Sequence, residues 1–380
     1  MNLWEYICVY VDDLALALED PKSFLDKLRL ARDKGGYGYK LKGDGPIEFH
    51  LGCDYFRDKD GRLISQPKRY IQKMSDYYER TFGEKPKAYK SALDPDDHPE
   101  LDETPLCGEA DVKIYLSMIG QLQWLLTLGR FDCMSSVVAM SSYRVAPRVG
   151  HLERVKRIFG YVQKFKEAAI TCRVEVPDYS MLDPFQDHDW MHSVYGNDPE
   201  EFPHNMPAPL GKVVRITQFV DANLYFNLVD GKACTGILTM INQTPIDWYC
   251  KKQATVATAT FGSEFVAAKT AVEKNYDLRY TLRMFGVPVD YRSYLFGDNM
   301  SVIMNGSIPH SQLGKRHHAL AYHYVREATA NGSIRLGHIS GKENPADCLT
   351  KFLGYQVWWP LLQPLMFWRG NTADIPKKGE

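Results

Sequence analysis

Four acidic residues in the last third of the chain have the residue types and the setting that could bind metal ions. Asp221 ends an apolar strand-like run, and Asp298 follows another. Glu264 and Asp347 each lie at the start of a helical pattern. Carboxylates brought together from separate elements repel one another, so a pair of hard divalent cations is the natural group between them. The alternative for any one of them alone is a helix cap or a surface acid.

The elements around these acids predict a sheet covered by helices. Apolar runs over residues 213–224 and 232–252 indicate antiparallel strands. A long helical pattern follows and is closed by Gly286 and Pro288. Three antiparallel strands followed by alternating helices and strands predict a mixed sheet with helices packed on it.

The N-terminal part predicts a second, smaller sheet. Residues 4–20 form two apolar runs with Asp12 and Asp13 between them, which is a hairpin pattern with two acids at its tip. A helical stretch comes next, and Asp60-Gly61 then indicates a second hairpin. Residues 67–166 are predicted to be mainly helical.

Basic residues in two segments of this helical region suit a nucleic-acid backbone. In one segment they are interleaved with aromatic residues, a pattern that combines phosphate contact with base stacking. A solvated amphipathic helix explains the same pattern equally well. The candidate nucleic-acid contacts from the two segments are Lys68, Arg69, Arg154 and Arg157.

Composition limits the remaining choices. The net charge of −1 means that a surface for nucleic acid must be local. The eight cysteines form no CxxC pair and no zinc-like cluster, so we expect reduced thiols in an intracellular protein. No signal peptide and no run of about 18 apolar residues is present, so we expect a soluble protein. Residues 180–210 contain five prolines and predict a connector.

The C-terminal pattern resembles the ribonuclease H domain of copia-type retrotransposon polyproteins. Five stretches match in family order: FVDANL, PIDWYCKKQATVATATFGSEFVAA, FGDNMSV, KRHHALAYHYVREA and ENPADCLTK. The resemblance implies an α/β domain with a mixed five-stranded sheet. It also implies that Asp221, Glu264, Asp298 and Asp347 are the catalytic residues and the ligands of two Mg²⁺ ions.

Further residues follow from the same resemblance. It implies contact between the backbone of an RNA/DNA hybrid and the residues Asn299, Lys315, Arg316 and His317. Two positions depart from the family pattern. Asn223 stands where many relatives have a second acid, and His338 falls on a strand, so we assign His338 no role in proton transfer.

The N-terminal part resembles the copia-type reverse transcriptase. Tyr10-Val11-Asp12-Asp13 matches the polymerase YxDD hairpin, and residues 67–168 are similar to the helices of the thumb. Polymerase chemistry also needs a third carboxylate and the fingers, which in the family lie upstream of this hairpin. We therefore expect Asp12 and Asp13 to form an incomplete metal site, and we expect no DNA polymerisation by this chain alone. An upstream polymerase fragment acting in trans is a partner that could change this.

The sequence as a whole predicts an α+β protein: a truncated reverse-transcriptase palm and helical thumb, then a ribonuclease H-like domain. The predicted boundaries are palm 1–66, thumb-like region 67–168, connector 169–213, ribonuclease H-like domain 214–354 and C-terminal tail 355–380. The predicted reaction is Mg²⁺-dependent endonucleolytic hydrolysis of RNA in RNA/DNA hybrids. The alternatives are a non-catalytic nucleic-acid-binding remnant and a subunit that completes a split polymerase. The resemblance implies a location in cytoplasmic particles and leaves a nuclear location open; no membrane partner is expected.

Overall fold

The computed structural model describes residues 3–179, 188–196, 199–313 and 318–368. The strands are β1 (Tyr6–Tyr10), β2 (Asp13–Ala17), β3 (Phe49–His50), β4 (Cys53–Arg57), β5 (Leu63–Gln66), β6 (Ala169–Thr171), β7 (Ile216–Asn223), β8 (Cys234–Ile241), β9 (Thr244–Lys252), β10 (Ser293–Gly297), β11 (Ile334–His338) and β12 (Met366–Phe367). The α-helices are α1 (Pro21–Arg29), α2 (Lys68–Phe82), α3 (Glu109–Thr127), α4 (Met134–Ser141), α5 (Val149–Lys164), α6 (Thr260–Met284), α7 (Met300–Ser307), α8 (Ala319–Ala330), α9 (Asp347–Thr350) and α10 (Tyr355–Leu362).

The N-terminal elements are thinly covered. The hairpin β1–β2 stands apart as a two-stranded sheet, and no residue from 3 to 52 is buried. Trp4 and Tyr6 attach the hairpin to the end of α6 and to the segment before β7. The Trp4 indole donates a hydrogen bond to the carbonyl of Ala208 (2.8 Å), and the Tyr6 hydroxyl donates to the carbonyl of Phe285 (3.0 Å). Because this region has few buried apolar contacts, we expect it to be the least stable of the described parts of the fold.

A core of helices fills the space between the two main sheets. The apolar residues of α5 recur at helical spacing, and Val155, Ile158 and Val162 are fully buried against α2, α3 and α4. An antiparallel sheet in the order β12-β6-β5-β4-β3 flanks this core. The mixture of helical core and sheets confirms the predicted α+β class.

A buried ion pair lies at the centre of the helical core. The guanidinium of Arg130 donates two hydrogen bonds to Asp132, both 2.8 Å long, and the Tyr161 hydroxyl donates a third to the same carboxylate (2.8 Å). The side chains of Arg130 and Asp132 are completely shielded from solvent. Each charge is therefore tolerated only because the other compensates it.

Replacing Asp132 with asparagine is expected to destabilise the protein by about 3–5 kcal/mol, because it leaves the charge of Arg130 buried and uncompensated. Urea unfolding of the Asp132→Asn protein measures the effect. Asp76→Asn is the matched control, since Asp76 is exposed on α2. Equal unfolding midpoints for the two variants would contradict the role given to the ion pair.

The second main sheet has the order β11-β10-β7-β8-β9. Strands β7, β8 and β9 are antiparallel, whereas β10 runs parallel to both β7 and β11. Helix α6 covers one face of this sheet, and its Phe265, Ala271 and Val272 are fully buried there. The mixed five-stranded sheet predicted for residues 214–354 is confirmed.

The chain returns to the helical core after this sheet. Residues 355–380 are predicted to form a C-terminal tail, but residues 355–362 form α10, and its Trp358 and Trp359 are buried among the core helices. Strand β12 then pairs antiparallel with β6. The return is driven by large apolar side chains, each of which gains about 1.5–3 kcal/mol when buried.

Within the predicted connector, residues 169–171 form β6 of the first sheet, whereas Glu200 and Trp190 contact helices of the C-terminal region. Glu200 forms a buried ion pair with Arg279 (2.6 Å) and with Arg283 (2.7 Å) of α6. Trp190 is buried and lies against the guanidinium of Arg326 on α8. Within the described ranges, no helix combines the length and the apolar character needed to cross a bilayer.

Candidate active site

The topology of the mixed sheet brings three of the four predicted acids together. Strands β7 and β10 are parallel neighbours, so Asp221 near the end of β7 and Asp298 directly after β10 lie at the same edge. Glu264 lies near the start of α6, which begins at this edge. Carboxylate oxygens of Asp221, Glu264 and Asp298 all lie within 4.8 Å of one another. We call these three residues the acidic triad.

The start of α6 is held in place by contacts that orient Glu264. Gln253 donates a hydrogen bond to the carbonyl of Ser263 (2.9 Å) and another to the Thr235 hydroxyl of β8 (3.0 Å). Gly262 packs directly on the imidazole of His318, and any side chain at Gly262 would collide with that ring. These contacts fix the helix start relative to the sheet, so Glu264 points at the strand ends.

The triad is poor in solvent and rich in negative charge. Burial raises the pKa of Glu264 to about 9, and the charges of Asp221 and Asp298 add to the effect. Burial and the charge of Asp221 also raise the pKa of Asp298. The protein fold thus holds carboxylates closer than their charges favour, and a cation between them would relieve the repulsion.

Asp347 joins this group through a lysine. Asp347 opens α9, and its carboxylate accepts a hydrogen bond from Lys351 Nζ (2.8 Å). The same Nζ lies 3.2 Å from Asp221 Oδ1. Burial and the charge of Asp221 raise the pKa of Asp347 to about 7. Lys351 is not among the site residues predicted from the sequence, although side chains four residues apart, like those of Asp347 and Lys351, meet on a helix.

Helix α9 approaches the sheet closely at a glycine. Gly236 of β8 lies opposite Asp221 in the ladder, and a Cβ on Gly236 would be only 2.5 Å from Cγ2 of Thr350. The Thr350 hydroxyl donates a hydrogen bond to Asp221 Oδ2. Close packing at Gly236 therefore allows α9 to present Asp347, Thr350 and Lys351 to the end of β7.

His338 ends β11, the strand position that the sequence predicts. Its Nε2 lies 3.1 Å from the backbone carbonyl of Asp298, so its contact is with the main chain at this acid. The nearby loop is also close: a Cβ on Gly341 would lie 3.1 Å from Asp298 Oδ2. Both contacts help to place Asp298.

The four basic residues of the thumb-like region are paired with acids. Arg154 contacts Asp97 and Asp102, and Arg157 contacts Asp94, which ties α5 to the segment before α3. Lys68 pairs with Glu167 (2.7 Å) and Arg69 with Asp54 (2.6 Å). Local neutralisation weakens attraction to phosphate, and contact of these four residues with nucleic acid stays a prediction.

The other predicted nucleic-acid contacts lie near α7 and α8. Asn299 caps α7 by accepting a hydrogen bond from the backbone N–H of Val302 (3.3 Å). Lys315, Arg316 and His317 fall outside the described residues. Their predicted contact with a hybrid is untested by the structure.

Asp12 and Asp13 lie at the exposed tip of the N-terminal hairpin, after Val11 with its positive φ of 54°. That backbone conformation is costly for a β-branched residue. Across the described ranges, the acidic triad is the one place where three potential ligands of these types come together. Asp12 and Asp13 therefore have no third described acid beside them, and their predicted role as metal ligands stays a prediction.

The chemistry of the triad fits a hard divalent cation. Its donors are all carboxylate oxygens, they are largely buried, and they come from three different elements. Oxygen donors of this kind are the ligands that Mg²⁺ and Ca²⁺ prefer. The sheet order and the acids at its edge define the C-terminal region as ribonuclease H-like.

Comparisons with known proteins find similarity between the chain and retroelement proteins. No family model matches it. It is similar to the retrovirus-related Pol polyprotein from transposon RE1 of Arabidopsis thaliana, at 23% identity over 346 residues, or 91% of this chain and 20% of that protein. The chain is thus a distant homologue of copia-type Pol polyproteins over most of its length. It spans about a fifth of the length of the curated relatives that it matches in this way.

Solved structures align with parts of the chain. The ribonuclease H1 of Halobacterium salinarum aligns at 14% identity and a TM-score of 0.29, with 36% of this chain and 94% of that chain covered. The foamy viral protease-reverse transcriptase, solved in complex with an RNA/DNA hybrid, aligns at 11% identity and a TM-score of 0.26, with 43% of this chain and 23% of that chain covered.

Proposed function

We propose that the chain catalyses metal-dependent endonucleolytic hydrolysis of the RNA strand in RNA/DNA hybrids. The observation that carries the proposal is the acidic triad, which assembles three carboxylates from β7, α6 and the end of β10 within 4.8 Å. The distant homology to Pol polyproteins supports the same reaction. Selection of the hybrid would rest on contacts to the 2′-hydroxyl groups of the RNA strand. A location in cytoplasmic particles is part of the proposal.

The four acids of the candidate site have different roles as metal ligands, set by their positions. Asp221, Glu264, Asp298 and Asp347 would hold two Mg²⁺ ions, which would supply activation of a water molecule and stabilisation of the leaving oxygen of the phosphodiester. Asp221 is central, because it belongs to the acidic triad and also contacts Lys351, which is paired with Asp347. Glu264 and Asp298 complete one set of oxygen ligands, and Asp347 with Asp221 offers the other. Because the pKa of Glu264 is about 9 without metal, loading of the site releases a proton near neutral pH.

A subunit that completes a split polymerase is the second candidate function. The observation that favours it is the hairpin β1–β2, where every residue of β1 is exposed and Asp12 and Asp13 lie at the tip. An exposed strand edge is suited to pairing with another strand. A partner that supplies a further carboxylate beside Asp12 and Asp13 would be required.

Cleavage of a labelled RNA/DNA hybrid in Mg²⁺ tests the main proposal. We expect the purified chain to cleave the RNA strand, and Asp298→Asn to reduce the rate by at least about 100-fold, because removal of a metal ligand should cost at least the upper end of the roughly 10–100-fold loss caused by removal of a ligand's hydrogen-bond partner. Asp277→Asn on the exposed side of α6 is the matched control and should cleave normally.

Two outcomes would contradict the proposal. Equal cleavage by the Asp298→Asn and unchanged proteins would remove the acidic triad from the mechanism. No cleavage by a folded chain that still binds the hybrid would favour the non-catalytic nucleic-acid-binding remnant. Parallel assays with double-stranded RNA and double-stranded DNA establish whether the hybrid is the preferred duplex.

A further inference from the structure

The four acids of the candidate site fall into two unequal parts. The acidic triad places three carboxylates within 4.8 Å of one another. Asp347 instead reaches Asp221 through the ammonium of Lys351, which lies 2.8 Å from Asp347 Oδ1 and 3.2 Å from Asp221 Oδ1. A cation supplied by the chain itself therefore sits between the fourth acid and the triad.

The main chain delivers this ammonium from a fixed place. The backbone N–H of Lys351 donates to the carbonyl of Asp347 (2.9 Å), and the backbone carbonyl of Lys351 accepts a hydrogen bond from the Ser135 hydroxyl of α4 (3.1 Å). The hydroxyl of Thr350, the preceding residue, donates a hydrogen bond to Asp221. Both sides of the lysine are thus anchored, and only 33% of its side chain is exposed.

The electrostatic balance at this lysine favours the charged form. Its Nζ lies within 3.2 Å of carboxylate oxygens from both Asp221 and Asp347, and opposite charges at such distances stabilise the ammonium over the neutral amine. The single positive charge of the ammonium offsets part of the charge of the two carboxylates, but the group has only N–H donors and cannot supply a metal-bound water. Lys351 can therefore supply positive charge at this position but not the chemistry of a metal ion.

We propose that Lys351 is an intrinsic cation that occupies the Asp221–Asp347 position of the site. In the absence of nucleic acid, the site then binds one divalent ion, at the acidic triad. A second ion enters only when Lys351 leaves the two carboxylates, and the phosphate of a bound hybrid offers the ammonium another partner. The inference rests on the proposed function, because it assigns the metal loading of the same site.

A divalent ion at the acidic triad and the ammonium of Lys351 both contact Asp221. Each therefore lowers the affinity of the Asp221–Asp347 position for a further cation. At separations of a few ångström, removal of one unit charge changes the affinity for an ion by tenfold or more, even with an effective dielectric constant of about 20. This effect separates the proposal from a purely structural ion pair. Loss of a structural pair would weaken folding, whereas loss of an intrinsic cation would create a second ion site.

Titration of the purified full chain with Mn²⁺, followed by electron paramagnetic resonance, measures the number of bound ions directly. We expect one ion for the unchanged chain and two for Lys351→Met, with the second ion bound at least about tenfold more tightly than in the unchanged chain. Lys252→Met is the matched control, because Lys252 also pairs with an aspartate, Asp230, and is 31% exposed. This control should retain one ion.

Two equally tight ions in the unchanged chain, or a single ion in Lys351→Met, would overturn the inference. If Lys351→Met fails to fold in a thermal-unfolding assay, Lys351→Gln is titrated instead and is held to the same criterion. The titration involves no hydrolysis, so its outcome is independent of the cleavage assay. A change in the number of ions without any cleavage activity would reject the proposed function and keep the role of Lys351.

Discussion

Replacing Glu264 with glutamine is expected to abolish Mg²⁺-dependent hydrolysis and to stabilise the metal-free protein. Glutamine keeps the shape of the side chain but removes a carboxyl group whose ionisation is opposed by burial and by the charges of Asp221 and Asp298. The acids of the triad are useful only when a cation is present, and without one they repel each other. A change that destroys activity while it stabilises the fold is the behaviour expected of residues held in a strained functional arrangement.

The stability difference should depend on pH in a defined direction. The pKa of Glu264 is raised from 4.5 to about 9, so the folded state holds its proton more tightly than the unfolded state. The stabilising contribution of this group is complete below about pH 4.5 and is lost as pH rises through about 9. Glu264→Gln undergoes no such loss. The two metal-free proteins should therefore be similar in acid and diverge towards pH 8.

Thermal unfolding in EDTA from pH 5 to pH 8.5 measures this divergence. At pH 8 we expect the variant to unfold at least roughly 2–4 °C higher, the shift that corresponds to about 1 kcal/mol for a domain of 150–250 residues. Added Mg²⁺ should raise the Tm of the unchanged chain and affect the variant much less. Glu273→Gln on the same helix is the control, since Glu273 is paired with Lys269 at the surface. A lower Tm for Glu264→Gln at pH 8 would contradict the expected strain.

The ribonuclease H-like segment, residues 214–354, is expected not to fold as a soluble unit on its own. The face of its sheet that carries α9 is buried against the helical core: Leu238 and Leu349 are fully buried in the same cluster as Phe131 and Trp358. Trp248 of β9 stacks on Phe131, with ring centroids 5.4 Å apart. Its indole also donates a hydrogen bond to the carbonyl of Leu126 (2.9 Å).

The magnitude of this loss is comparable to the stability of a domain. Exposure of a large buried apolar side chain costs about 1.5–3 kcal/mol, so a few such residues equal the roughly 5–15 kcal/mol that keeps a domain folded. Asp347 would also lose support, because α9 packs against α4 and the Phe131–Cys133 turn. We therefore expect loss of both folding and metal binding in the fragment.

Expression of two fragments tests this expectation. Residues 214–354 should aggregate or unfold without cooperativity, whereas residues 53–368 should remain soluble and unfold cooperatively. The second fragment lacks residues 1–52 and 369–380; none of residues 3–52 is buried, so this fragment controls for truncation as such. A soluble, cooperative 214–354 fragment that binds Mn²⁺ would show that the helical core is dispensable.

The sequence determined the parts of the protein that follow from local pattern. Apolar runs indicated the strands, and a long helical pattern indicated α6. The order of these elements predicted the mixed sheet that the structure contains. Once β7 and β10 are parallel neighbours, Asp221 and Asp298 must meet, because side chains at the carboxyl ends of adjacent parallel strands share an edge. The meeting of these acids could thus be expected from strand order alone.

Only the tertiary structure decided which charges face one another. From the sequence alone, Lys351 would be interpreted as an ordinary surface lysine. In the structure, the close packing of α9 at Gly236 places it beside Asp221. The sequence suggests Arg154 as a phosphate contact. The structure shows that it pairs with Asp102 and Asp97, which lie 52 and 57 residues away in the chain. Pairing of charges across such distances depends on packing geometry, and local sequence pattern does not encode that geometry. The acids that could bind metal were visible in the chain, and the cations that balance them were set by the fold.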